Sequence, residues 1–598
     1  MVVLRTYFLM ITVEAGLAFG ALLWLPEGGG NAHSGSLLWA GRIAALILIA
    51  GLAASAWLAY KAYADAAWLE GAVYYLERLS QPQAVFLLNG VLFLSALLAV
   101  AALAALAPDP LPDFVLLLQG TLLQILPLLI WLALASLQLL GVLFLLFPPG
   151  RQLLTKSFLL SGVILLLVMI YWNGAVVQMV EVNVDMGETD QGAYMHFTSR
   201  MYESGYTYPG DFNRMPAYPF LQSLLYRPGI SDDSFFLQGK YLNLLLSLIL
   251  LAALAVIFSQ TFRPLLVLNL TVVIGFLIFI FKAGFFQAEL LFYFFNFCLF
   301  WCMWQLLRRP SLKLAILAGL LAGLAHLTKA SILPGLVLFL IFSVLQAGWM
   351  ALRRWRSSQS QTASLPVATY LVVAPVVALL FLATVFPYIQ TSKRITGRYF
   401  YNVNSTFYMW YDSWAEARRG TRAHGDRVGW PDMPPEEVPS MSKYLREHPT
   451  KKIQNRFING FNVVMDNMIH SYGYLKYIFI FAGLFLFAIL IRWRRVLTWF
   501  THNLILLVFI LVYFAVYFLL YFWYAPIASG NRLILAQFIP LIGLLAVGFQ
   551  SLLVDFRINL RGKSVNLFTV INLAILAILV VDIYAVLTMR IMILYGGE

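Results

Sequence analysis

Apolar runs long enough to cross a bilayer recur from one end of this chain to the other, and nothing else restricts its fold so strongly. They lie at about 6–26, 37–59, 84–107, 116–147 and 157–179, then at about 238–258, 264–281, 287–306, 312–328, 332–348, 366–388, 473–492, 503–524, 532–553 and 567–589. About 20 apolar residues in a helix span the hydrocarbon core, and a helix satisfies its own backbone there. The pattern predicts an all-α polytopic membrane protein of roughly 15 spans. Composition agrees. Of 598 residues only 11% are charged and 61% are hydrophobic, and mean hydropathy is +0.82. A soluble domain carries about a quarter charged residues.

The net charge of +13 belongs mostly to short loops. Tyr60–Arg78, Arg151–Lys156, Arg308–Lys313, Arg353–Arg356, Arg492–Arg495 and Arg557–Lys563 all carry Lys or Arg, whereas Pro26–Ser36 and Ala107–Asp113 hold none. The positive-inside rule places the first set in the cytoplasm, together with the N-terminus. No basic stripe on a soluble domain points to nucleic acid. The N-terminal run lacks a convincing cleavage site and reads as a first span. Cys298 and Cys302, spaced i, i+4 in an apolar run, read as packing residues.

Residues 1–150 are rich in Leu and Ala and carry nothing that resembles chemistry, so they read as an added N-terminal helical module before a core at 151–598. Within that core two polar segments, 180–237 and 390–471, fall outside the cytoplasm by the span count and are expected to form a small surface subdomain.

The informative stretch follows the fifth run. It reads Asp185-Met-Gly-Glu-Thr-Asp190-Gln191-Gly-Ala-Tyr194 and continues to Asn213-Arg214-Met-Pro-Ala-Tyr218-Pro219. Further on come Gln287-Ala-Glu289, Gly319 to Lys329 with its Leu-Thr-Lys ending, and Asn531-Arg532. These landmarks, in this order over about 157–590, resemble the GT-C superfamily of membrane glycosyltransferases, nearest its protein-mannosyltransferase and aminoarabinose-transferase-like group. In that group the first outer loop carries an acidic pair. Here its second member is Gln191, which removes one carboxylate.

The resemblance implies a GT-C-like bundle, a polyprenyl-phosphate-linked sugar donor, and an acceptor that is lipid, glycan or protein. It also implies an inverting transfer at the outer face of a bacterial inner or plasma membrane. Chemistry assigns the roles: a carboxylate to accept the hydroxyl proton, and cations to stabilise the phosphate. Asp190 is the expected base; Arg214, Lys329 and Arg532 are the expected phosphate partners; Gln191, Tyr194, Tyr218 and Glu289 are expected to position substrate. Each has a plainer reading: a solvated loop acid, an interfacial snorkelling cation, or an aromatic belt. The segment around Phe407–Trp414 and Arg418, Arg419 and Arg422 is expected to cap the site. No cofactor is implied, and no metal-ligand spacing supports a divalent ion. Two other classes remain open, a transporter or flippase of lipid-linked saccharides and a polysaccharide polymerase or ligase. A transporter would show internal repeats and midplane charges, which this sequence lacks.

Overall fold

The computed structural model describes residues 2–24, 34–79, 81–104, 113–356, 365–424, 433–527, 530–560 and 563–593. The loops 26–36 and 107–113 used for orientation, and 425–432 of the expected cap, lie almost wholly outside them. Among the described residues the apolar runs lie mostly in helices, one of them broken. Among the described residues, 12 helices are long and apolar enough to cross a membrane, and two shorter apolar ones cover Pro264–Phe279 and Leu312–Thr328. The chain is an integral, multi-pass membrane protein. The only described strands form one antiparallel hairpin, Arg557–Leu560 with Lys563–Asn566.

Two compact units divide the chain, Met1–Ile170 and Tyr171–Glu598. The expected boundary near 150 sits at the start of the continuous helix Pro148–Val177, and the division falls inside that helix. In the first unit the helices Val2–Trp24, Ser34–Ala64 and Asp113–Leu146 pack together, the last carrying Pro127. Polar side chains tie them: Arg5 Nε donates to the Ala62 carbonyl at 2.9 Å, and Trp131 Nε1 to that of Ile11 at 3.1 Å. The short helix Ala66–Leu79 buries Leu69 and Leu76, seven residues apart and so on one face.

In the second unit the most buried segment lies between the helices Pro264–Ile274 and Glu289–Arg308, and Asp232–Ser259 packs on it through Asn243. That segment departs from expectation. The run at 264–281 is not one helix: Pro264–Ile274 is α-helical, Gly275–Phe279 widens into a π turn, and the chain is irregular from Ile280 to Ala288. Every residue from 272 to 290 is buried. Irregular backbone at such a place is tolerated only where protein satisfies its polar groups. Here Asn183 Nδ2 donates to the Gly284 carbonyl at 2.6 Å, Asn243 Nδ2 donates to that of Phe285, and the Phe286 N–H donates to Gln191 Oε1 at 2.9 Å. Gly284 is needed for closeness, because a Cβ there would lie 3.0 Å from Met179 Cα.

The two polar segments meet. The Val403 N–H donates to the Phe212 carbonyl at 3.1 Å, and Phe212, Tyr401, Phe407 and Tyr408 share one buried cluster. Asn404, which opens an Asn-Ser-Thr triplet, has its amide bonded to Asn213 and Tyr524.

Candidate active site

Asp190 occupies the N-cap position of the helix Gln191–Glu203, yet its side chain caps nothing. Asp is a favoured N-cap because its carboxylate ordinarily takes an N–H of the first turn. This carboxylate turns away instead: Oδ1 accepts from Arg214 Nη2 at 2.6 Å, and Oδ2 from Arg532 Nη1 at 2.6 Å. Burial raises the Asp190 carboxyl, but the two guanidiniums outweigh it and hold the group well below the usual carboxylate range.

The loops that present these groups are constrained. Thr189, immediately before Asp190, has φ 60°, and Phe212, two residues before Arg214, has φ 55°. Neither residue type favours that region, and such outliers persist only where surroundings enforce them. The Thr189 hydroxyl is bonded by Gln287 Nε2, which ties the first loop to the buried irregular segment. Asp211 accepts from the backbone N–H groups of Asn213 at 3.0 Å and Arg214 at 3.2 Å, and its Oδ2 accepts from Arg214 Nη1 at 3.1 Å. Arg214 is thus aimed by one carboxylate at another. Its Nε is buried with no hydrogen-bond partner.

A second ion pair stands beside the first. Glu289 opens the helix Glu289–Arg308, and Lys329 ends the helix Leu312–Thr328. Lys329 Nζ donates to Glu289 Oε1 at 2.7 Å. Glu289 is 2% exposed, and its Oε2 has no hydrogen-bond partner. Helices 289–308 and 532–553 are locked together nearby, Tyr293 Oη donating to the Arg532 carbonyl at 3.0 Å and Asn296 Nδ2 to that of Ala536 at 2.8 Å. Three helices therefore begin at this place, at Gln191, Glu289 and Arg532, and their first-turn N–H groups favour anions.

Asp190, Arg214, Arg532, Glu289 and Lys329 are thus brought together, with Tyr194 among them. The Arg214 guanidinium lies 5.8 Å from the Tyr194 ring centre. Burial, and then the charges of Glu289 and Asp190, keep the Tyr194 phenol protonated far above its ordinary range.

Two expected positioning residues are otherwise committed. Gln191 is fully buried: Oε1 accepts from Asn183 Nδ2 at 2.9 Å and from the Phe286 N–H, while Nε2 donates to Asn183 Oδ1 at 2.8 Å and the Asp185 carbonyl at 3.2 Å. Its amide has no capacity left for a substrate. Tyr218 is also fully buried. Its hydroxyl accepts from Gln222 Nε2 at 2.7 Å, and its ring packs edge-on against Tyr194 at 5.3 Å, so it supports Tyr194 from behind.

Sequence reasoning missed Asp211, Asn183 and Lys282. Lys282 is buried in the irregular segment, within electrostatic range of Glu289, Arg532 and Lys329. A lone lysine between Phe281 and Ala283 in an apolar run was its signal. Among the described residues no group of His, Cys, Asp and Glu is arranged to hold a metal ion.

The second polar segment has its own ionic centre. Asp412 accepts from Tyr444 Oη at 2.6 Å, from Arg456 Nη1 at 3.1 Å and from Lys452 Nζ at 2.7 Å. Burial raises this carboxyl, but the donors around it, Lys452 foremost, bring it down to about 2. Arg456 also donates to the carbonyls of Trp523 and Met409, both at 3.0 Å, pinning this segment to the helix Leu504–Tyr524.

No family model, curated protein or solved structure matches this chain.

Proposed function

We propose that the protein is a membrane glycosyltransferase of GT-C type, moving a sugar from a polyprenyl-phosphate-linked donor to an acceptor hydroxyl at the extracytoplasmic face. One observation carries this reading: a carboxylate bridged by two arginines, at the starts of three helices, in a multi-pass membrane protein. Two guanidiniums within reach of one oxyanion suit a phosphate, which they bind in fork geometry. Basic loops on the opposite ends of the spans support the extracytoplasmic assignment.

The chemistry follows from the groups present. The bond between the anomeric carbon and the donor phosphate breaks, and its electron pair leaves with polyprenyl phosphate. Arg214 and Arg532 stabilise the charge that develops on that phosphate. The acceptor oxygen forms the new bond to the anomeric carbon from the opposite side, with inversion. Its proton passes to the Asp190 carboxylate. The unpartnered Glu289 Oε2 supplies a hydrogen-bond acceptor for a substrate hydroxyl, and Lys329 holds that carboxylate in place. Tyr194 is a phenol kept neutral, and so a donor.

The test uses purified protein in lipid nanodiscs with a polyprenyl-phosphate-linked sugar and an acceptor extract. Release of polyprenyl phosphate that disappears in Asp190→Asn is the expected result. A protein that only moves lipid-linked saccharides across the bilayer releases none. Unchanged release in the variant removes Asp190 from the reaction.

A further inference from the structure

A carboxylate that holds an arginine on each oxygen is a poor base, and this conflict points beyond the proposed reaction. Asp190 Oδ1 and Oδ2 each hold a guanidinium N–H at 2.6 Å. We propose that Asp190 is a placeholder anion: at rest it occupies the arginine pair, and the phosphate of a lipid-linked ligand displaces it, freeing the carboxylate to act as base. The inference rests on the reading of this site as one that binds a lipid phosphate.

Three features support displacement over a fixed structural bridge. First, Arg214 does not depend on Asp190 alone for its placement. Asp211 holds its backbone N–H and its Nη1, and the Arg532 backbone is tied through its carbonyl to Tyr293. Removing Asp190 leaves the Arg214 cation still held at the site. Second, the pair has donor capacity that a two-oxygen carboxylate does not fill. Arg214 Nε is buried without a hydrogen-bond partner, and a phosphate offers further oxygens. Third, the carboxylate has no tie to its own helix. Asp190 stands at the N-cap position of Gln191–Glu203, but its side chain accepts no N–H of the first turn, so leaving the arginines breaks no helix cap. The arginine-bound and released carboxylate are the two states that such a switch requires.

The consequence is ordered use of the site. Without donor, the carboxylate is neutralised by two cations and is a poor base. With the phosphate seated, it has left both cations and regains proton affinity, so the group activates only when there is a sugar to transfer.

The test measures binding of geranyl phosphate and of inorganic phosphate, by calorimetry, to the full chain in nanodiscs, comparing wild type with Asp190→Asn. The asparagine removes the competing anion, so geranyl phosphate should bind about tenfold or more tightly, as expected when a self-occupied state is abolished. Binding of equal strength in the two proteins overturns the placeholder and leaves the phosphate-site reading standing. Absence of binding in both, with unfolding temperatures showing folded protein, overturns that reading itself. Inorganic phosphate binding as tightly as geranyl phosphate overturns the assignment to a lipid-borne headgroup. Should the variant fail to fold, the wild type carries the test through infrared difference spectra. A shifted carboxylate band on adding geranyl phosphate is expected, and an unchanged carboxylate region overturns displacement.

Discussion

The side-chain amides of Gln191 and Asn183 face each other head to tail, Gln191 Nε2 donating to Asn183 Oδ1 at 2.8 Å and Asn183 Nδ2 donating to Gln191 Oε1 at 2.9 Å. This reciprocal pair sits one residue from Asp190 and decides what can stand at position 191. A carboxylate has no N–H to give to Asn183 Oδ1 or to the Asp185 carbonyl. Restoring an acidic pair by Gln191→Glu should therefore lower stability by about 2–4 kcal/mol rather than improve transfer. Thermal unfolding in detergent checks this, and an undiminished melting temperature would falsify the tie.

Arginine geometry at the site should matter beyond charge. Arg532→Lys keeps the cation but loses the planar fork, so it should reduce the release of polyprenyl phosphate on the order of 100-fold. Arg214→Lys should do the same, with added loss of loop order because Asp211 loses a partner. Steady-state release of polyprenyl phosphate reads both, and parity with wild type would exclude the guanidiniums from the transition state.

Breaking the Glu289–Lys329 pair from one side leaves a charge stranded in a dry place. Lys329→Met should cost about 2–4 kcal/mol, because Glu289 is buried and left without its cation. The double variant Glu289→Gln with Lys329→Met should recover most of that loss. A double-mutant cycle on unfolding temperatures measures the coupling, and additive losses would show that the two side chains do not depend on one another.

Acid should loosen the second polar segment. The Asp412 carboxyl is brought down to about 2, below its ordinary value near 4. A depressed group contributes stability that is present above the ordinary value and is lost as pH falls toward the depressed one. The difference in unfolding temperature between wild type and Asp412→Asn should thus be large at pH 7 and shrink between about pH 4 and 2. A constant difference down to acid would remove the ionised carboxylate as the cause.

Close helix approach yields another prediction. A Cβ on Gly460, in the helix Thr450–His470, would lie 1.8 Å from the Phe522 carbonyl oxygen of the helix Leu504–Tyr524. Backbone cannot yield as a side chain does, so Gly460→Ala should destabilise by about 1–3 kcal/mol. Gly483→Ala, with open space around the added methyl, serves as the control for unfolding measurements.

What the sequence made legible was the set of groups that water would ordinarily surround. Asp190 and Arg214 in the first polar segment, and Glu289, Lys329 and Arg532 at the ends of hydrophobic runs, stand out in an apolar chain, and their common side of the membrane by the span count suffices to suspect that they meet. The helices were legible for the same reason, through length and hydropathy. Interior polar ties were not. Asn183 and Gln191 look like loop residues until the backbone they satisfy is known. The irregular stretch from Ile280 to Ala288 is apolar enough to pass for part of a span, because hydropathy cannot distinguish a buried coil from a buried helix. Tyr218 reads as an aromatic for stacking, and only the packing of Tyr194 upon it shows that it faces inward.

That irregular stretch carries a requirement for biogenesis. Its carbonyls and amides at Gly284, Phe285 and Phe286 are satisfied by Asn183, Asn243 and Gln191, all of which leave the ribosome earlier. When residues 280–288 reach the bilayer, the residues that make their backbone tolerable in a dry environment have already been synthesised. Synthesis order thus matches solvation order, and a circular permutant that moved residues 178–243 behind this stretch would expose it to lipid before its partners exist.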